Sequence, residues 1–129
     1  MMIGYVTIGA LDEAKSVAFY DAVFDAIGCD RKFSDGGWTG YGAKGQDDHE
    51  VYVVAKPFDG QPARAGNGIM LSFKAKTQAE VAAAHRAGLA SGGTDEGAPG
   101  PRPADSTTFF GAYLRDPTGN KICVYCRPA

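Results

Sequence analysis

The chain has 129 residues, a formal net charge of −2, and 44% hydrophobic against 22% charged residues. That is the size and balance of one ordinary folded domain, which excludes wholesale disorder. The 13 lysines and arginines are scattered from Lys15 to Arg127, giving no footprint for a nucleic-acid backbone, and no apolar run approaches the roughly 20 residues of a membrane-spanning helix.

In chain order, the opening Met1-Met2-Ile3-Gly4-Tyr5 carries no basic flank and no signal-like apolar segment, so a cytoplasmic protein is expected. Val6 and Ile8 alternate with Tyr5 and Thr7, the period of a half-buried strand. Asp12 then caps a helix whose Val17, Tyr20, Phe24 and Ile27 recur at helical spacing, and Gly28 stops it. Short strands follow at about 29–34, 37–43 and 50–56, the first two joined by a hairpin turn at Asp35-Gly36-Gly37. The polar cluster Asp47-Asp48-His49-Glu50 reads as a solvated turn, since adjacent side chains do not easily converge on one ion.

From Lys56-Pro57 to Asn67-Gly68 the chain is rich in proline and glycine and reads as a connector. Gly66-x-Gly68 opens no helix, so it is no phosphate cradle. Leu71 and Phe73 then alternate with Met70 and Ser72. Thr77-x-x-Glu80 is a capping box, Val81, His85 and Leu89 form the buried stripe, and Gly92-Gly93 ends the helix. His85 on that stripe reads as a satisfied core histidine. Strands are expected at about 94–97, 108–115 and 120–126, with a longer loop around 98–107 and a turn at Asp116-Pro117-Thr118-Gly119-Asn120. Arg102, in that loop between two prolines, reads as a surface arginine or as one reaching an anionic ligand.

These elements repeat. A shift of 65 residues carries Tyr5-Val6-Thr7-Ile8 onto Met70-Leu71-Ser72-Phe73, Asp12 onto Thr77, Tyr20 onto His85, and Gly28-Cys29-Asp30 onto Gly93-Thr94-Asp95. A shift of 71 carries Trp38–Gly42 onto Phe109–Tyr113, and Val51–Val54 onto Ile122–Tyr125. Each half is therefore strand, helix, then strands. The strand face turned from the helix carries Tyr5, Thr7, Met70 and Ser72, with Tyr52, Val54, Cys123 and Tyr125 from the last strands. A mixed, partly polar face of this kind suits the floor of a ligand cavity or, equally, a second small core. Three cysteines, Cys29, Cys123 and Cys126, favour reduced thiols, and on a strand Cys123 and Cys126 point to opposite faces, which suits inert thiols better than a redox or zinc pair.

The ordered set Val6-Thr7-Ile8 with Asp12, the helix residues Ala18-Phe19-Tyr20, Gly66-Asn67-Gly68, Gly92–Gly97, Pro99-Gly100-Pro101-Arg102 and Asp116–Asn120 resembles the glyoxalase/bleomycin-resistance/dioxygenase (vicinal oxygen chelate) superfamily, and 56–63 resembles its linker. The resemblance implies a single α+β domain of two βαβββ modules forming a curved mixed sheet around a cleft. The first module spans about 1–56, the linker about 57–67 and the second module about 68–129. In metal-dependent members four His, Gln or Glu ligands occupy strand positions that fall here on Tyr5, Tyr52, Met70 and Cys123. Two phenols, a thioether and one thiol are poor donors for a divalent ion, so the fold is expected without its metal or any other cofactor.

The expected function is a domain binding a small, partly aromatic molecule in a cleft of Tyr5, Thr7, Tyr52, Met70, Ser72, Tyr113, Cys123 and Tyr125. The alternatives are a divalent-metal-dependent lyase resembling lactoylglutathione lyase, a dioxygenase, or a structural domain whose cavity is filled by its own side chains. No catalytic residue is assigned, and whether a reaction is catalysed is left open. A homodimer is implied by the resemblance alone, and neither nucleic acid nor membrane is expected as a partner.

Overall fold

The computed structural model describes residues 2–127. The first module runs β1 (Val6–Gly9), α1 (Glu13–Asp25), β2 (Cys29–Asp35), β3 (Trp38–Ala43) and β4 (Val51–Val54). The second repeats it as β5 (Leu71–Lys74), α2 (Gln78–Ala90), β6 (Thr94–Pro101), β7 (Phe110–Arg115) and β8 (Lys121–Cys126). Each module forms its own four-stranded mixed sheet, ordered β1-β4-β3-β2 and β5-β8-β7-β6. The only parallel pair in each is first strand with last, Thr7 beside Tyr52 and Ser72 beside Cys123.

Local chemistry explains the elements. Asp12 Oδ1 accepts from the Lys15 amide at the start of α1, and Thr77 Oγ1 accepts from Glu80 at the start of α2. Glu80 reaches back to the Lys76 amide, one residue beyond the usual capping-box partner. Gly36 and Gly37 both hold positive φ (59° and 82°), which closes the β2–β3 hairpin without a Cβ clash.

Three expectations are corrected. Tyr5 and Met70 precede their strands rather than opening them. β6 continues to Pro101 because bulges near Gly97 and Gly100 let it keep pairing with β7, so the expected loop is shorter. Leu89 is exposed, and Gly88 is the buried position instead. A Cβ at Gly88 would stand 2.7 Å from Leu114 and 3.2 Å from Val23, so the missing side chain is what lets α2 meet α1 and β7 on that face.

One apolar core joins the modules. Phe19, Tyr20, Val23 and Phe24 of α1 pack with Val81 and Ala84 of α2 and with Leu114, Ile122 and Val124 of the second sheet. His85 is buried on this side and bonds Asp95 at 2.9 Å, the satisfied core histidine expected. Beside the core, the Asp116–Asn120 turn is tied to the first module. Asp116 is 3% exposed and accepts from the Tyr20 hydroxyl at 2.7 Å and from the amides of Thr118, Gly119 and Asn120. Asn120 Nδ2 donates to Gly9 O, and the Leu11 amide donates to Thr118 Oγ1. Burial first, then the neighbouring carboxylate, pushes the Tyr20 phenol well above its ordinary value.

Candidate functional site

Helices cover one face of each sheet, so alternation sends every second strand residue to the open face. On the first sheet, Ile8, Val51, Val53 and Tyr41 enter the core, while Thr7, Tyr52, Val54 and Trp38 face away from it. Tyr52 is the hub of an aromatic wall. Its ring lies 5.4 Å from Tyr5, 5.6 Å from Trp38, 6.1 Å from Phe33 and 5.3 Å from His49, and its hydroxyl is hydrogen-bonded to His49 Nδ1. Phe33 reaches this face because Gly40 has no side chain: a Cβ there would stand 2.5 Å from the Phe33 ring.

The open face of the second sheet is different. Tyr113 and Cys123 are register partners, and Ser72 pairs with Cys123 from the other side. Burial pushes the Cys123 thiol up, against the pull of the Ser72 and Tyr113 hydroxyls and of the Arg102 and Lys121 charges. The Tyr113 phenol is likewise raised by burial and drawn back by Arg102. Arg102 stands 5.5 Å and Lys121 5.7 Å from the Tyr113 ring centroid. Tyr125 stacks on Phe109 at 5.4 Å, with Arg127 5.9 Å from its ring.

A groove of about 750 Å³ runs between the first open face and the connector, lined by Thr7, Gly9, Trp38, Val54 and residues 56–59 and 61–66. A second cavity of about 210 Å³ lies where the β1 and β5 edges face one another, lined by Thr7, Gly9, Arg64, Leu71, Asn120 and Lys121 among others. Thr7, Gly9, Arg64 and Gly66 line both, so the two spaces adjoin.

Of the cleft residues expected from sequence, contacts join Tyr5 to Tyr52, and Tyr113 and Ser72 to Cys123. Thr7 lines both spaces, Tyr125 sits with Phe109, and Met70 is exposed. No ring contact among the described residues connects the first group with the second. Sequence reasoning missed Phe33, Trp38 and His49. His49 is part of the wall and not merely of a solvated turn. The available signal was the glycines at 40 and 42 beneath the open face, which leave room for the Phe33 ring and for the backbone of Asp48 and His49.

The family's ligand positions do not fit a metal. They present the Tyr5 and Tyr52 rings packed edge to face, the thioether of Met70 and a buried thiol held up in its protonated range. Among the described residues no three His, Cys, Asp or Glu side chains gather around a common point. No described helix is long and apolar enough to cross a membrane.

Comparison with known proteins accords with this architecture. Residues 2–124 match the family described as the glyoxalase/bleomycin resistance protein/dioxygenase superfamily. A solved glyoxalase/bleomycin resistance protein from Albidiferax ferrireducens T118 is 36% identical, with a TM-score of 0.87 over 98% of this chain and 100% of that one. A glyoxalase-related enzyme from Fulvimarina pelagi (20% identity, TM-score 0.72, 98% and 88% coverage) shares the fold. So does a lactoylglutathione lyase from Agrobacterium tumefaciens (22%, 0.63, 96% and 92%). No functionally curated protein matches. The chain belongs to the glyoxalase/bleomycin resistance protein/dioxygenase superfamily.

Proposed function

We propose that this chain is a binding member of its superfamily, taking a small aromatic molecule into the groove beside β1 without the family metal and without turning it over. The observation that carries this reading is the Tyr52-centred wall, which meets the roughly 750 Å³ groove at Trp38. Rings at about 5–6 Å spacing offer edges and faces to a planar guest, and such contacts contribute about 1 kcal/mol each beyond simple burial. The phenol, thioether and thiol at the family's ligand positions support the metal-free part.

The test is saturation-transfer NMR with 2-naphthol as probe, beside elemental analysis of the purified protein. Transfer to the naphthol, weakened in Tyr52→Ala and Trp38→Ala, is expected with no stoichiometric metal. Tight, stoichiometric zinc, nickel, iron or manganese, or activity on methylglyoxal plus thiol abolished by chelator, would overturn the reading in favour of a lyase. The reading includes a homodimer in the cytoplasm. Exposed Ile3, Tyr5, Ile69 and Met70 at the ends of β1 and β5 support the pairing, and sedimentation velocity at micromolar concentration checks it.

A further inference from the structure

The junction cavity is unusual in its charge. Arg64 and Lys121 both line it, and no carboxylate does. Arg102, which stands 5.5 Å from the Tyr113 ring centroid where Lys121 stands 5.7 Å from it, adds a third cation to the same open face. None of the three pairs with a carboxylate among the described residues. The carboxylates close by are already engaged: Glu96 holds Arg115, and Asp116, beneath Tyr20, is buried and surrounded by donors. What sets Arg64 and Lys121 apart from the other unpaired cations is that they share the lining of one small cavity, where an anion would balance both.

Arg102 is also held in place in advance. Its Nη2 donates to Ala98 O at 2.7 Å and its Nη1 to Pro101 O at 3.2 Å. The guanidinium sits close over two glycines, where a Cβ at Gly100 would be 3.0 Å from Nη1 and one at Gly97 3.3 Å from Nη2. Two of its donors are thus spent on fixing its position, and the others are left for a ligand. Lys121 Nζ has no hydrogen-bond acceptor among the described residues and rests beside the Tyr113 ring.

We infer that the junction cavity binds the anionic oxygen head, carboxylate or phosphate, of a small aromatic molecule, with Lys121 and Arg64 of its lining as the contacts and Arg102, beside the Tyr113 ring, adding to the positive field from outside the cavity. The aromatic body of the ligand runs back past Thr7 and Gly9, which line both spaces, toward Trp38. This assignment names the ligand class for the groove and rests on the binding reading above; its head-group end stands on separate residues and is separately testable.

The experiment titrates ¹⁵N-labelled protein with benzoate, phenyl phosphate, benzyl alcohol and inorganic phosphate. It follows the Trp38 indole N–H and the backbone amides of Gly66, Gly97 and Lys121. The expected result is binding of benzoate, phenyl phosphate or both about tenfold tighter than benzyl alcohol, the scale of one charge-assisted hydrogen bond. Whichever acid responds identifies the head group. Lys121→Gln removes the advantage, Arg64→Gln and Arg102→Gln reduce it, and Arg86→Gln on the exposed side of α2 leaves it unchanged. Because Arg102 also braces its loop, Lys121→Gln and Arg64→Gln, on separate elements, keep the test intact if that variant unfolds.

Equal affinity for benzoate and benzyl alcohol, with Trp38 shifted by both, overturns the anion site and leaves the aromatic groove standing. Phosphate shifts at Lys121, with Trp38 unmoved by every aromatic probe, overturn the groove reading while the head-group site survives. Silence from all probes overturns both.

Discussion

The two modules share one plan and differ in what they expose. In the first, Tyr5, Phe33, Trp38, His49 and Tyr52 pack ring against ring; in the second, Tyr113 and Tyr125 are each flanked by lysine or arginine. The turns before the last strands differ as well. Residues 44–50 of the first module are exposed, whereas Asp116–Asn120 of the second holds α1 and β1. Duplication supplies a symmetric frame, and the residues free to diverge are those facing away from the shared core. A cleft between unlike faces can hold a guest with unlike ends, which a symmetric one cannot.

The comparison breaks most sharply at the turns. Asp116→Ala should lower stability by about 3 kcal/mol or more, since it strands the buried Tyr20 hydroxyl and several amides, while Asp47→Ala in the other turn should stay within about 0.5 kcal/mol. Urea unfolding of both variants measures the contrast. Next comes the pair of positions related by the 65-residue repeat, Val23 on α1 and Gly88 on α2. Gly88→Ala places a methyl against Leu114 and Val23 and should cost about 1–3 kcal/mol by overpacking, despite alanine's better helix propensity. A rise in melting temperature would show that the helices can separate freely.

The faces are sharpened by Tyr52→Ala, which should weaken 2-naphthol about tenfold, whereas Tyr125→Ala on the other module should change it less than about twofold. Titration calorimetry separates them. The smallest effect is electrostatic. The hydrogen bond from His85, then that from the Gly97 amide, holds Asp95 below its ordinary 3.8. A depressed folded-state value stabilises the fold above the unfolded value and loses that contribution as pH falls through the folded one. Melting temperatures of wild type and Asp95→Asn should therefore differ at neutral pH and converge on acidification below 3.8.

Much of the frame was legible in the residues. The caps at Asp12 and Thr77, the repeat offsets and the Asp116–Asn120 turn are local signals, and local signals survive folding unchanged. Tyr5, Thr7, Tyr52 and Cys123 could be assigned to the open faces by period alone. Phe33, Trp38 and His49 could not, because their meeting depends on cross-strand register and on the bare backbone at Gly40. Leu89 misled because helical spacing does not reveal that its neighbour Gly88 is the contact point. The junction cavity lay beyond sequence reading altogether: Arg64, Lys121 and Thr7 become neighbours only when the linker crosses β1.

The tie between α1 and the final hairpin has a consequence for how the chain is made. Its bonds span 96 to 111 positions, from Tyr20 to Asp116, Leu11 to Thr118 and Gly9 to Asn120. A nascent polypeptide exposes the first module long before those partners leave the ribosome, so the buried side of α1 must wait for the second module to be synthesised. Completion of one half is thus withheld until the other is present, and a prematurely ended product would display its unfinished surface to proteases.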